Sequence, residues 1–212
     1  MSTESPASCP AIARPAIAHS IRTRRLLIPL MLGFALFGSL PVWATDYVQA
    51  PGSTLTFATR YQGEVFSGNF ANFRTRATFD PQDLANARLD VLIAPGSAST
   101  ANEDRDETLQ GQDFFNSRKF SQARYQASEF RHLGGNEYAA DGTLSLRGVS
   151  QPVTLTFTWT PGAQPVLAGK ATVRRLDFAI GAGDWADLEL IPNGVAVSTR
   201  VVLKPAPASA TP

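Results

Sequence analysis

The sequence predicts an all-β protein made of many antiparallel strands in one domain. Apolar and polar residues alternate with a period of two along most of the chain, which is typical of strands with one buried face. Clusters of Gly, Pro and Asn separate these runs, as turns would. The 212 residues, 43% of them hydrophobic, can fill one core. A sheet of about eight strands must close into a barrel or pack on a second sheet to remove its edges.

The first 44 residues have the order of an export signal and are set apart from the fold. Four arginines precede an apolar run over residues 26–40, and the small residues Val42 and Ala44 follow it. That run is shorter than the ~20 residues that a membrane-spanning helix needs. We therefore expect export with cleavage near Ala44. The pair Arg24 and Arg25 leaves the choice between Sec and twin-arginine export open.

The strands are expected between residues 45 and 204, and residues 205–212 are expected to form a flexible tail. Leu55 and Phe57 indicate an opening strand, and an extended region rich in Phe follows it. The clearest alternation lies in four later segments, residues 87–93, 138–146, 153–159 and 195–203. The tail contains mostly Pro and Ala and has too few large apolar groups to offset the entropy of ordering it.

One short helix is expected over residues 102–110, at the rim of the sheet. Thr100 and Glu103 have the spacing of a capping box, in which a hydroxyl and a carboxylate satisfy exposed backbone donors. Arg105 and Asp106 are assigned to structure, because ion pairs and backbone hydrogen bonds there would fix the helix and its loop. The helix has little apolar surface, so the Phe pair at 114 and 115 is expected to anchor the segment that follows.

The remaining residue types argue against several functional classes. Cys9 is the only cysteine and lies in the export segment, and His132 is the only histidine beyond it. One mature chain therefore cannot supply a His/Cys metal site, and no nucleophile elbow or phosphate-binding loop is present. The net charge of +1 gives no electrostatic basis for binding nucleic acid. We expect no catalytic residue, no metal and no cofactor, and hence no enzyme.

Several motifs resemble one known family. The motifs are Thr100-x-Asn102-x-x-Arg105-Asp106-x-x-Leu109, Asp113-Phe114-Phe115, Lys119-Phe120, the run 142–153 (GTLSLRGVSQPV), Gly68-x-Phe70, Asp80-Pro81 and Phe178-x-Ile180-Gly181. In this combined order they resemble the YceI-like family of exported polyisoprenoid-binding proteins, from about Val48 to Val202. Two positions where the family often has His hold Gly52 and Thr108 here.

The resemblance implies an extended, lipocalin-like antiparallel barrel of eight strands, located in the periplasm, with a long prenyl chain in its apolar interior. The function implied is a carrier or sequestering protein for an isoprenoid lipid such as a quinone or polyprenyl lipid, without catalysis. Transient membrane contact for lipid exchange and a homodimer are compatible with that role. Alternation and resemblance together place eight residues on the ligand-facing wall: Phe57, Phe70, Leu89, Val91, Tyr125, Leu144, Phe157 and Phe178.

A second function stays open, because inward Phe, Leu and Val also fill ordinary cores. In that case the barrel would be a structural or protein-interaction domain with no physiological lipid. The two differ in the interior: a long prenyl chain needs an elongated tunnel in the upper part of the ~300–1,000 Å³ range of ligand pockets. The head group of the ligand, its donor and acceptor, and the pathway served are not encoded in any motif.

Overall fold

The computed structural model describes residues 45–207, which fold mainly as β-strands with one α-helix. The expected export signal, residues 1–44, lies outside the described residues, as do residues 208–212. The elements are β1 (Asp46–Gln49), β2 (Thr54–Tyr61), β3 (Glu64–Phe70), β4 (Phe73–Thr78), β5 (Arg88–Ile93), β6 (Ala98–Ser99), α1 (Glu103–Gln110), β7 (Ala123–Gly134), β8 (Glu137–Leu146), β9 (Val149–Thr160), β10 (Val166–Arg174) and β11 (Gly194–Pro205). Short 3-10 turns cover 84–86, 95–97, 175–178 and 183–185.

Eight of the strands form a closed antiparallel ring in the order β1-β4-β5-β7-β8-β9-β10-β11, and β11 pairs with β1 to complete it. The prediction of an eight-stranded antiparallel barrel with a short helix is therefore confirmed. Closure leaves no free edge in the ring, so each strand of the ring is paired on both sides.

β11 is long enough to hold two partners on one side. Its last residues pair with β1, and residues 196–200 pair with β2. Between β1 and β2 the chain turns at Gly52, whose φ of 85° suits glycine. Ser53 bridges this break, since its Oγ donates to the Ala50 carbonyl and accepts from the Val202 amide. β2 then continues into β3, and β6 pairs with the end of β3.

The antiparallel register defines two ends of the barrel. The loop end carries the β2–β3 hairpin, segment 94–122 with α1, the β8–β9 turn and segment 175–193. The closed end carries the β4–β5 connection, the β7–β8 hairpin and the β9–β10 turn. Most of the irregular structure therefore lies at the loop end.

Aromatic side chains fill the closed end, and we call them the aromatic plug: Tyr47, Phe79, Phe130, Tyr138, Phe157 and Trp159. Phe79 is at its centre, with its ring centroid 4.7 Å from that of Trp159, 5.1 Å from Tyr138 and 5.5 Å from Phe157. Tilted and edge-to-face pairs at these spacings add to the stabilisation from burial alone. This end of the barrel is therefore solid core.

The rim helix forms as predicted, with a different cap. Its N-cap is Asn102, whose side-chain oxygen accepts from the Arg105 amide. Thr100 does not cap the helix: its amide and hydroxyl both donate to Asp106, which also accepts from the Ser99 hydroxyl. Thr100 is thus held by Asp106 at the end of β6, and the capping-box assignment is wrong for that reason.

Arg105 and Asp106 serve structure through different contacts. The guanidinium carbon of Arg105 lies 4.4 Å from the centroid of the Phe66 ring, which ties α1 to β3. Partial burial raises the pKa of Asp106, but hydrogen bonds from Thr100 and Ser99 outweigh this effect, so the pKa of the carboxyl lies below its usual range. Asp106 thereby links β6 to the helix.

At its end the barrel extends slightly beyond the predicted boundary at Lys204. β11 includes Pro205, and the Ala206 amide donates to the Asp46 carbonyl at 2.7 Å. These contacts belong to the residues expected in the tail. Within residues 45–207, no helix has the length and apolar character needed to span a membrane.

Candidate functional site

The loop-end half of the barrel contains an apolar cavity of about 200 Å³. Most of its wall consists of inward-facing side chains of the strands. Leu109, Phe114 and Phe115 come from α1 and the segment after it, and segment 175–193 contributes Arg175, Ile180 and Ile191. Six of the eight residues predicted to face a ligand lie on this wall: Phe57, Phe70, Leu89, Val91, Tyr125 and Leu144. That these residues bind a ligand stays a prediction.

The cavity is smaller than the elongated tunnel expected from the sequence. The aromatic plug occupies the closed end, so no passage runs the length of the barrel. Towards the loop end, the Phe70 ring centroid lies 5.2 Å from that of Phe57 and 5.9 Å from that of Phe115. These three rings take up volume that a long chain would need. The volume of the cavity, about 200 Å³, lies below the ~300–1,000 Å³ that is common for ligand pockets.

Phe157 and Phe178 are the two predicted wall residues that do not border the cavity. Phe157 faces inward on β9 but lies in the aromatic plug, and it is 2% exposed. Phe178 lies in the 3-10 turn at 175–178 and not on a strand, and it is 1% exposed. Both are packed core residues in this structure.

Tyr125 is buried, and its hydroxyl donates to backbone carbonyls of neighbouring strands. The hydroxyl lies 2.8 Å from the Ala140 carbonyl oxygen and 3.1 Å from that of Val153. Gly142 makes room for the ring, since a Cβ there would come within 2.7 Å of it. Burial raises the pKa of the Tyr125 phenol well above its usual value, so the hydroxyl stays protonated.

Arg175 is a buried cation at the loop end of the cavity, with 3% of its surface exposed. Its five side-chain N–H groups all donate to backbone carbonyls of segment 175–193: Ile180, Gly181, Trp185, Ile191 and Pro192. Burial lowers the pKa of the guanidinium from its usual value. The cation therefore organises the segment that covers this end, and every donor it has is used.

Several wall residues were not predicted as site residues. Leu55, Leu155 and Val197 belong to alternating runs, so an extension of the same pattern would have found them. Thr59 and Thr75 gave a weaker signal, because Thr on a strand is common on an outward face. For Thr75, the neighbouring arginines at 74 and 76 point outward by alternation and would have located it inside.

Four other titratable residues, His132, Asp184, Asp187 and Glu189, lie outside the cavity. His132 is exposed, and its Nε2 is 2.8 Å from the Gly135 carbonyl oxygen in the β7–β8 hairpin. Asp184, Asp187 and Glu189 lie exposed in segment 175–193. Over residues 45–207, no group of three or more His, Cys, Asp or Glu is arranged to hold a metal ion.

Three exposed apolar side chains lie at the loop end, on the β2–β3 hairpin and segment 175–193. Val65 is 69% exposed in β3, Leu188 is 54% exposed in segment 175–193, and Tyr61 lies beside Trp185 with ring centroids 6.4 Å apart. The Gln62 amide donates to the Leu190 carbonyl, which joins the β2–β3 hairpin to segment 175–193. We call Tyr61, Val65 and Leu188 the apolar rim.

The chain is similar to a set of curated bacterial proteins. A UPF0312 protein of Shewanella oneidensis is 25% identical over 189 residues, which are 81% of this chain and 98% of that protein. UPF0312 proteins of Photorhabdus laumondii and Yersinia pestis are 31% and 32% identical, over 62% of this chain and 70% of each relative.

Solved structures share the barrel. Burkholderia cenocepacia BcnA aligns with a TM-score of 0.68 at 24% identity, covering 71% of this chain and 95% of that one. A structure described as a polyisoprenoid binding domain from Saccharophagus degradans, implicated in plant cell wall breakdown, aligns with a TM-score of 0.60 at 15% identity, covering 77% and 99%. The model of the YceI-like domain matches residues 47–204. The chain therefore belongs to the YceI-like domain family.

Proposed function

We propose that this protein is a periplasmic carrier or sequestering protein that holds the hydrocarbon chain of an isoprenoid lipid, of quinone or polyprenyl type, without acting on it chemically. The observation that carries the proposal is the apolar cavity inside a closed barrel, whose polar wall groups are few. The domain from Saccharophagus degradans, described as polyisoprenoid binding, supports this ligand class.

Hydrophobic transfer alone provides enough driving force for such binding. Burial contributes about 0.8 kcal/mol per CH₂ group, so a twenty-carbon chain has a gross transfer free energy near ~16 kcal/mol. The loss of translational and conformational freedom opposes much of this gain. No charged anchor is needed, which agrees with a wall on which Arg175 has no free donor.

The small cavity sets a requirement on the bound state. Because the aromatic plug fills the closed end, a chain of twenty or more carbons can extend only towards the loop end, where the rings of Phe70 and Phe115 narrow the cavity. Extension of the lipid into the aromatic plug is less favourable, because Phe79 packs there against four other rings: Phe130, Tyr138, Phe157 and Trp159. Binding should therefore enlarge the cavity at the loop end.

The test is organic extraction of freshly purified protein followed by mass spectrometry, combined with titration of a C20 isoprenoid. Recovery of an isoprenoid in a fixed ratio to the protein supports the proposal. The size of the cavity favours the second candidate, a structural or protein-interaction barrel with a filled core. Protein that carries no lipid and binds no isoprenoid would contradict the carrier proposal and leave the second candidate in its place.

Lipid exchange requires contact with a membrane, and we propose the apolar rim for this contact. Changing Val65 and Leu188 to Ser should slow isoprenoid transfer from vesicles while leaving the equilibrium affinity unchanged. The matched control is Leu133→Ser, since Leu133 is 48% exposed at the closed end of the same barrel. Equal transfer rates for the rim variant and the control would exclude the rim as the contact surface.

A further inference from the structure

The polar groups on the cavity wall differ in whether their hydrogen-bonding capacity is used. Tyr125 donates to the Ala140 carbonyl, Thr199 donates to the Thr54 carbonyl, and Arg175 donates all five N–H groups to segment 175–193. Thr59 and Thr75 also border the cavity, yet neither hydroxyl oxygen has a hydrogen-bond partner or contact with solvent. These two hydroxyls are therefore polar groups of the wall that have no hydrogen-bond partner.

Thr75 is the more deeply buried of the two, with 2% of its surface exposed. It lies on β4 opposite Val91 of β5, and the same row continues through Tyr125 of β7 to Leu144 of β8. Residues paired directly across antiparallel strands share a face, so this row faces the cavity. The hydroxyl of Thr75 is therefore surrounded by apolar side chains and by a tyrosine that is already engaged.

An unpaired hydroxyl in such surroundings is unfavourable for folding. Valine has nearly the same volume as threonine and would fill the position without burying an unpaired polar group. An ordered water is a poor substitute, because a buried water needs two to four polar partners and the wall near Thr75 offers few. A group supplied by the ligand would satisfy the hydroxyl once the side chains that now cover its oxygen move aside as the cavity enlarges.

We propose that the Thr75 hydroxyl is a recognition site for an uncharged oxygen atom of the bound lipid. The hydroxyl donates a hydrogen bond to a carbonyl, ether or alcohol oxygen on a molecule that is otherwise hydrocarbon. This assignment rests on the proposed function, since it requires the cavity to hold an apolar ligand. It deepens that function by naming the chemical class preferred: neutral oxygenated lipids over pure hydrocarbons and over carboxylic acids.

Acids are disfavoured at this position for an electrostatic reason. Burying an ionised carboxylate needs compensation by several donors or by a counter-ion, and one hydroxyl provides neither. The cation on the wall, Arg175, has no N–H group left to donate. A neutral oxygen needs one donor, which Thr75 supplies.

The experiment compares three probes with the same branched C20 skeleton: phytol, phytanic acid and phytane. Each displaces a fluorescent apolar probe from the purified wild-type protein and from Thr75→Val. The ratio of phytane to phytol dissociation constants is compared between the two proteins, because the difference in hydration of the free ligands then cancels. We expect Thr75→Val to weaken phytol binding by about 3- to 10-fold, as loss of one net hydrogen bond does, and to leave phytane binding equal or tighter.

Three further variants make the result specific. Thr75→Ser retains the hydroxyl and should keep the preference of the wild type for phytol. Thr156→Val changes an exposed threonine on the outer face of β9 and should have no effect. Thr59→Val tests the other unpaired hydroxyl, and loss of the phytol preference in this variant alone would overturn the assignment to Thr75.

The remaining outcomes separate the two proposals. If the wild type binds phytane and phytol but Thr75→Val leaves their ratio unchanged, the recognition site is wrong and the carrier function stands. Phytanic acid binding more tightly than phytol to the wild type at neutral pH would overturn the preference for a neutral oxygen. If the wild type binds none of the three probes, the carrier function fails, and the recognition site fails with it.

Discussion

Replacing Arg175 by Met is expected to destabilise the protein strongly, because segment 175–193 depends on this one side chain. The guanidinium donates five hydrogen bonds to five carbonyls, and its surface is 3% exposed. At about 1 kcal/mol net for each hydrogen bond, the loss approaches ~5 kcal/mol. Relief of the desolvation of the cation offsets part of it. We expect the free energy of unfolding to fall by about 3–4 kcal/mol.

Urea denaturation followed by tryptophan fluorescence measures this change, and hydrogen exchange of the amides in 176–193 locates it. Arg174→Met is the matched control: Arg174 is its neighbour, its side chain is 68% exposed, and its one ion pair, with Asp177 at 3.2 Å, is on the surface. Exposed pairs contribute about 0–1 kcal/mol. If Arg175→Met unfolds within about 1 kcal/mol of that control, the carbonyls are rehydrated at little cost and the reasoning is wrong.

Three more predictions concern the helix, the wall and the export segment. Asp106→Asn should lower the free energy of unfolding by about 1 kcal/mol at pH 7. Because folding lowers the pKa of Asp106, the stabilisation by this carboxylate is lost as the pH falls through that pKa. The unfolding curves of the variant and the wild type should therefore converge in acid. Leu144→Gln should weaken isoprenoid binding by burying an amide, at a cost on the order of 1–3 kcal/mol. Thr156→Gln, on the outer face, should leave binding unchanged. Equal affinities of the two variants for the isoprenoid would contradict an inward position of Leu144. Intact mass of the exported protein should correspond to cleavage near Ala44, and a product that retains residues 1–44 would refute this.

The strands could be predicted because each one is specified by its own alternation. The run from Ala87 to Ile93 shows this: Leu89 and Val91 point inward, as expected, and border the cavity. Ring closure could not be predicted in the same way. It depends on pairing of β1 with β11, segments about 150 residues apart, and periodicity carries no information on such pairing. The barrel was preferred over a sandwich of two sheets only because of the resemblance to a known family.

Position along the barrel axis is the feature of the candidate site that alternation could not supply. Alternation correctly places Phe157 on an inward face, yet it does not show whether that face borders a cavity or an aromatic plug. Phe178 was misplaced because a 3-10 turn can bury an apolar residue as fully as a strand does. Thr100 was predicted as part of the cap, but Asp106 binds Thr100 from within the helix, and the Asn102 side chain caps the helix instead.

Under the proposed carrier function, stability and binding place opposite demands on one barrel, and we expect them to be met at different ends. A ligand chain can enter only where side chains move at low cost, and segments that open are drawn from the less stable parts of a fold. In the plug around Phe79 the rings pack closely against one another, so we expect movement there to be costly. At the loop end, Phe70 and Phe115 limit the cavity, but Arg175 keeps the backbone of segment 175–193 fixed through its five bonds. If the protein binds a lipid as proposed, we expect these rings to rotate while the backbone stays in place, so that the cavity lengthens towards the rim without unfolding the segment that covers it.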